Sequence, residues 1–236
     1  MADKRTIIVT GGTKGIGRAI IDVFAANGFT VFTCSRSISD LEKLRKDIST
    51  KHEVDVHIKE ADLSKKKEVV EFADFVKNVT PKVDVLVNNS GRFIPGQVHN
   101  EEEGVLEDLI DTNLYSAYHL TRQLVHGMIE NRSGHIFNIC SIASIVAYAN
   151  GGSYGISKFA MYGMSKVLRE ELKEYNVRVT SVLPGATYTA SWEGADISEE
   201  RFMSAEDVAA MVWSTYTLST RTVVEDIVIR PQLGDL

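Results

Sequence analysis

Residues 6–28 read TIIVTGGTKGIGRAIIDVFAANG. A short run of β-branched and apolar residues gives way to glycines at 11, 15 and 17, and these lead into a segment with helical apolar spacing. Strand, glycine turn and helix in that order bring a backbone without side chains to a helix N-terminus, where exposed N–H groups attract a pyrophosphate. The spacing is G-x-x-x-G-x-G rather than the more familiar G-x-G-x-x-G, so the order of the elements carries the inference more than the glycines alone.

Outward from this stretch the same alternation continues. TVFTCS, VDVHIKE, VDVLVNN, GHIFNICS, VRVTSVL and VVEDIVI read as further strands, separated by amphipathic segments at about 15–27, 40–51, 65–78, 103–131, 154–175 and 204–219. Strands alternating with helices predict a parallel sheet. The fold class is therefore α/β: a Rossmann-type doubly wound parallel sheet of seven strands with helices on both faces. Asn27 and Asn176 stand where left-handed caps would end two of the helices. One domain over residues 1–236 is expected, with a mobile substrate-loop segment at about 186–203.

The bulk properties narrow the function. The chain has 236 residues, 44% hydrophobic and 25% charged, which suits one large core. A net charge of -6 gives no basic field for nucleic acid, and the run Lys65, Lys66, Lys67 is followed by Glu68 and Glu71, as in a solvated helix start. Two cysteines, Cys34 and Cys140, without a C-x-x-C pair support neither a disulfide framework nor a zinc site, and no metal is expected. No signal-peptide stretch or long apolar run occurs, so a cytoplasmic protein without membrane contact is expected.

The segment SYGISKFAMYGMSK, residues 153–166, contains Tyr-Gly-x-Ser-Lys twice, at Tyr154 to Lys158 and at Tyr162 to Lys166. Tyrosine and lysine four apart share a helical face, where an ammonium lowers the cost of ionising a phenol. The two tyrosines are eight residues apart, about 12 Å along a helix, so both cannot serve one substrate carbonyl.

These features together resemble the short-chain dehydrogenase/reductase family over almost the whole length. Thr10, Gly11, Gly15 and Gly17 match its T-G-x-x-x-G-x-G loop; Asn88, Asn89, Ser90 and Gly91 match its N-N-A-G with Ser for Ala; Pro184-Gly185 matches the P-G beside the nicotinamide. The resemblance implies a catalytic set of Asn113, Ser141, Tyr154 and Lys158, because only Tyr154 stands thirteen residues after Ser141. It further implies an NAD(P)-dependent oxidoreductase that interconverts a carbonyl and an alcohol by hydride transfer. Tyr154 would be general acid/base, Ser141 a hydrogen-bond partner of the oxygen, Lys158 a holder of the ribose, and Asn113 the support of a water chain behind Lys158. The implied cofactor set is Gly11, Thr13, Lys14, Gly15, Ile16, Gly17, Ser35, Arg36, Asp62, Leu63, Asn89, Ser90, Gly91, Tyr154, Lys158, Pro184, Gly185, Thr187 and Thr189.

The second strand ends in Ser35 and Arg36, without the acid that holds a ribose 2'-hydroxyl in NAD-preferring sites, and Lys14 adds a second cation. NADP(H) is therefore expected over NAD(H), with Asp62 at the adenine. Phe93, Ile94, Tyr148 and Trp192 suggest an apolar or aromatic wall for a small carbonyl or alcohol substrate. Phe159, Met161, Tyr162 and Val167 are more apolar surface than one sheet contact needs, which points to a homodimer or homotetramer built on the helices at 103–131 and 154–175. Tyr162 and Lys166 are assigned to packing or to that interface. A catalytically silent NADP(H)-sensing regulator of the same fold is the alternative; it would have favoured loss of Ser141, Tyr154 or Lys158, and none is lost.

Overall fold

Seven strands form one sheet in the order β3-β2-β1-β4-β5-β6-β7, every neighbouring pair parallel, in a computed structural model that describes residues 5–189 and 197–235. The strands are β1 (Thr6–Thr10), β2 (Thr30–Ser35), β3 (Val56–Glu60), β4 (Val85–Asn88), β5 (Gly134–Ile139), β6 (Val177–Pro184) and β7 (Asp226–Ile229). Between them run α1 (Gly15–Ala26), α2 (Ile38–His52), α3 (Lys66–Val79), α4 (Val105–Ile110), α5 (Ser116–Asn131), α6 (Gly152–Leu172) and α7 (Ala205–Tyr216). All seven strands expected from the sequence are present.

Helices cover both faces, so the central strands are buried throughout, as all five residues of β1 are. The period of two survives as a choice of face. Ile7 and Val9 join the core beneath α1, α2 and α7, whereas Ile8 joins the core beneath α3 and α5. In the first core Phe24 of α1 meets Phe29, Trp213 and Tyr216 edge-on, with ring centroids 5.1–5.4 Å from its own. Burying a side chain of that size contributes about 2–3 kcal/mol, which fixes α7 against α1. Cys34 and Cys140 are buried free thiols, and burial pushes them up to about 12 and about 11, consistent with packing rather than chemistry.

Helix ends follow local chemistry. The Ser37 hydroxyl accepts from Asp40 N to start α2, and that of Ser204 accepts from Asp207 N to start α7. Asn176 has φ 57°, the left-handed cap expected of it. Asn27 does not: its φ is -104°, and Gly28, with φ 78°, makes the turn instead, because glycine takes that conformation without a Cβ clash.

The largest departure from the sequence reading lies in the segment 103–131. It is not one helix. A π-helical turn, Asp111–Tyr115, separates α4 from α5 and inserts an extra residue that turns Asn113 inward, where it is 1% exposed. The lysine run behaves as expected: Lys65 lies 3.1 Å from Glu68 and Lys67 lies 3.8 Å from Glu71. Among the described residues no helix is long and apolar enough to cross a membrane.

Candidate active site

Strand order reverses between β1 and β4, and the loops that follow these two strands converge there. The Thr10 hydroxyl accepts the backbone N–H groups of Asn89 and Ser90, both at 2.9 Å. Asn89 Nδ2 donates back to Thr10 O at 2.8 Å and to Gly11 O at 3.2 Å. A Cβ on Gly17 would stand 2.5 Å from Asn89 Nδ2 and 2.7 Å from Gly11 O, so this clamp tolerates only glycine. Gly11 and Gly15 have φ 64° and 54°, which a glycine adopts freely. Among the described residues no side chain caps α1, and no acid sits in its first turn. Open N–H groups beside bare backbone fit the pyrophosphate of a dinucleotide. Thr189, after β6, closes over this loop: a Cβ on Gly15 would lie 3.0 Å from Thr189 Cγ2.

Around the loop, Thr13 is half-buried, Ile16 packs partly against the first core and Leu63 is buried in the second. At the end of β2 the Ser35 hydroxyl donates to Ser37 O at 3.2 Å, while the side chains of Arg36 and Lys14 are exposed. Among the described residues neither cation is in an ion pair. Asp62 accepts from Ser64 N at 3.2 Å and from the Ser64 hydroxyl at 2.8 Å. Burial works against its charge, but the Ser64 bonds and the nearby Lys65 and Arg36 outweigh it and hold the carboxyl below the usual range.

The four expected catalytic residues meet beside this loop. Ser141 follows β5, and its hydroxyl accepts from Ala143 N at 3.1 Å. That leaves its own proton to donate, and its side chain is near enough to the Tyr154 phenol, in the first turn of α6, to favour the phenolate. Lys158 is buried, 6% exposed, and its Nζ donates to Ile139 O at 2.9 Å. It lies 5.8 Å from the centre of the Tyr154 ring. The ammonium thus sits near the ring and is turned toward the strand carbonyl. This alters the electrostatics expected from the sequence. Burial raises the Tyr154 phenol above its ordinary value and the Ser141 side chain only partly opposes this, while burial lowers Lys158.

Asn113 is buried in the π-helical turn and bonded on both sides. Its Oδ1 accepts from Arg92 N at 2.7 Å, and its Nδ2 donates to Arg92 O at 3.0 Å and to Ser157 Oγ at 2.8 Å. The Ser157 hydroxyl donates in turn to Tyr154 O at 2.7 Å. The side chain therefore acts on the frame around Lys158: a Cβ on Gly91 would lie 3.3 Å from Asn113 Oδ1 and 3.5 Å from Lys158 Nζ. Ser157 escaped the sequence reading, although its place three residues after Tyr154 in the motif was a signal.

On the substrate side Phe93 packs edge-on against Tyr154, with centroids 4.9 Å apart. Tyr148 is half-exposed, and its phenol is pushed up to about 12, mainly by burial and further by Tyr154 and Asp235. A cavity of about 600 Å³ is lined by Tyr148 with Gly96, Ile156 and Phe159 among others; Phe93 and Tyr154 are not part of its lining. After β6, Gly185 N donates to Ile229 O at 2.8 Å, and a Cβ on Gly185 would collide with the Asp235 carboxylate. Thr187 is buried, with its hydroxyl 3.1 Å from Gly185 O, and Tyr188 and Ala186 exchange backbone hydrogen bonds with Met203. Both ends of the expected substrate loop are thereby tied together; Trp192 lies outside the described residues.

The second Tyr-Gly-x-Ser-Lys has another use. Tyr162 OH donates to Asp226 Oδ2 at 3.0 Å, and Lys166 Nζ reaches the same oxygen at 2.5 Å. Met161 and Tyr162 pack inward against Ala117, Cys140 and Leu183, so they are not part of a spare apolar face. The helical period explains this: positions 161, 162 and 165 share the side of α6 that carries Lys158. Phe159 and Val167 do face outward, 45% and 57% exposed.

Comparison with known proteins gives the family. The short chain dehydrogenase family model matches residues 5–200, and the chain belongs to that family. A sepiapterin reductase from Chlorobaculum tepidum is 34% identical over 99% of this chain and 98% of the relative. Among solved structures, a metagenomic short-chain oxidoreductase in complex with NADP superimposes with a TM-score of 0.83 at 29% identity, covering 98% of each chain. The closed form of a serine dehydrogenase complexed with NADP+ gives 0.87 at 28% identity, covering 98% of this chain and 96% of that one. The chain is an oxidoreductase of this family.

Proposed function

We propose that the chain is an NADP(H)-dependent reductase that converts a carbonyl to an alcohol, or the reverse, with Tyr154 as general acid/base. The observation that carries this reading is the placing of Tyr154 and Lys158 next to the glycine loop, with the Lys158 ammonium 5.8 Å from the centre of the Tyr154 ring and the Ser141 side chain near the phenol. A reduced nicotinamide, when bound, supplies the hydride for the carbonyl carbon. Tyr154, kept protonated by its burial, gives its proton to the carbonyl oxygen, and the Ser141 hydroxyl donates a hydrogen bond to that oxygen. Lys158 holds the ribose, and Asn113 with Ser157 fixes the turn of α6 on which Tyr154 and Lys158 stand. All four groups are present and connected, which disfavours the silent cofactor sensor.

For the cofactor, Gly11, Gly15 and Gly17 cradle the pyrophosphate, Asp62 takes the adenine amino group, and Lys14 and Arg36 take a 2'-phosphate. Two exposed cations, Arg36 after β2 and Lys14 at the start of α1, suit a dianion, and the NADP-bound neighbours support the same choice. The substrate is a small molecule seated against Phe93 and Tyr148, and the sepiapterin reductase relative makes sepiapterin the first compound to assay, beside ketones, aldehydes and diketones. The assembly is a homodimer or homotetramer formed through α5 and α6, whose outer faces present Tyr118, Ile156, Phe159 and Val167, all more than a third exposed.

Replacement Tyr154→Phe is expected to lower kcat by at least ~100-fold with NADPH binding retained, the scale of losing a general acid. Turnover that survives it in steady-state assays would contradict the assignment. Arg36→Ala is expected to raise the Kd for NADPH by tenfold or more, on the order of one charge-assisted contact, and to leave that for NADH nearly unchanged. Equal affinities for the two cofactors in the unmodified protein, by fluorescence titration, would count against the preference. Light scattering at micromolar concentration is expected to give a dimer or tetramer mass; a monomer with cofactor present would remove the assembly from the account.

A further inference from the structure

The N-terminus of α6 is held by a residue 52 positions away in the chain. Glu101 Oε1 accepts the backbone N–H of Ser153 at 2.9 Å, and its Oε2 accepts the Ser153 hydroxyl proton. Within α6 itself the first turn carries no acid, and its N-cap, Gly151, has no side chain to offer. The Glu101 carboxylate therefore satisfies an open N–H group at the positive end of a 21-residue helix. Its seat is shaped for it: a Cβ on Gly152 would collide with Glu101 Oε1, and one on Gly96 would stand 2.5 Å from the same oxygen.

The segment that carries Glu101 is bound to the approach to α6 along its length. Gly96 N donates to Asn150 O at 3.0 Å, and Gln97 Nε2 donates to Asn150 Oδ1 at 3.1 Å. Its other end is Arg92, held by Asn113, which also holds Ser157. Between the two ties Phe93 rests on the Tyr154 ring. Residues 92–101 thus bracket Tyr154, fastened at Ser153 on one side and at Ser157 on the other.

We propose that Glu101 is a positioning residue for Tyr154: by capping α6 and latching the 92–101 segment to it, Glu101 sets where the phenol stands relative to the substrate oxygen. Proton transfer is sensitive to placement, since a shift of about 1 Å can cost on the order of 100-fold. Glu101 touches no reacting atom, so its loss acts on turnover through Tyr154 and leaves the glycine loop intact.

The inference rests on Tyr154 being the proton donor. The test measures kcat, KM and the Kd for NADPH in Glu101→Ala and Glu101→Gln, with Tyr154→Phe beside them. Glu101→Ala is expected to lower kcat about tenfold or more, with the Kd for NADPH changed by less than about twofold. Glu101→Gln is expected to recover kcat to within about threefold, because an amide oxygen still accepts from Ser153 N and an amide N–H reaches the Ser153 hydroxyl. Should Glu101→Ala not fold, Ser153→Ala removes the hydroxyl half of the latch and is expected to lower kcat severalfold at constant Kd. A Glu101→Ala enzyme with unchanged kcat overturns the inference, as does a fall in NADPH affinity that parallels the fall in kcat, or a Gln variant no better than Ala. If Tyr154→Phe itself retains turnover, the reading of Tyr154 fails; if it is inactive while Glu101→Ala is indifferent, only the role of Glu101 fails.

Discussion

A lysine ammonium withdrawn from water sets the plan of this site. Lys158 is 6% exposed, and a buried charge is tolerated only where it is hydrogen-bonded. Its partner is the carbonyl of Ile139, the last residue of β5. That single bond fixes α6 across the end of β5, and the rest of the geometry follows from it. One helical turn before Lys158 comes Tyr154; two residues after Ile139 comes Ser141; the phenol and the hydroxyl therefore meet at the carboxyl edge of the sheet. Buried polar bonds support the same alignment: Asn88 Nδ2 donates to Asn138 Oδ1 at 2.8 Å, and Asn138 Nδ2 donates to Ser165 Oγ at 2.8 Å, joining β4, β5 and α6.

A second constraint acts from the other side. The loops after β1 and β4 are clamped to each other by Thr10 and Asn89, which ties the glycine loop to the segment leading to Phe93 as one unit. Gly91 brings that unit close to both Asn113 and Lys158. The glycine loop and the Tyr154 set are thus held by short bonds to a common frame, and the distance between them is a property of the sheet rather than of a flexible loop.

Much of this was legible in the sequence because it is written locally. The glycines of residues 11–17 stand between a strand and a helix, and β-branched runs mark every strand of the sheet. The spacing of Ser141, Tyr154 and Lys158 singled out the tyrosine that stands beside the buried lysine, whereas Tyr162 bonds Asp226. What was hidden depends on contacts distant in sequence. A π-helical turn and an α-helical turn share nearly the same apolar pattern, so the inward swing of Asn113 needs Arg92 and Ser157 to reveal it. The inward packing of Met161 and Tyr162 follows from the rotation of α6 that Lys158 imposes, and Tyr162 finds Asp226 only because β7 closes that edge of the sheet. The direction of the Lys158 ammonium, and the burial that raises the Tyr154 phenol, were likewise beyond a motif that records only that the two residues share a face.

Burial raises the Tyr154 phenol and so favours its protonated form, the form the proposed reduction needs. An acid works below its pKa and fails as pH rises through it, and Tyr154 lies above its ordinary value of 10.0. The pH dependence of kcat/KM for carbonyl reduction under saturating NADPH tests this most directly. Activity is expected to persist through the neutral and mildly alkaline range and to fall only above pH 10, with that fall absent from the residual activity of Tyr154→Phe. A fall near neutral pH that disappears in Tyr154→Phe would show a phenol already ionising there, and would contradict it.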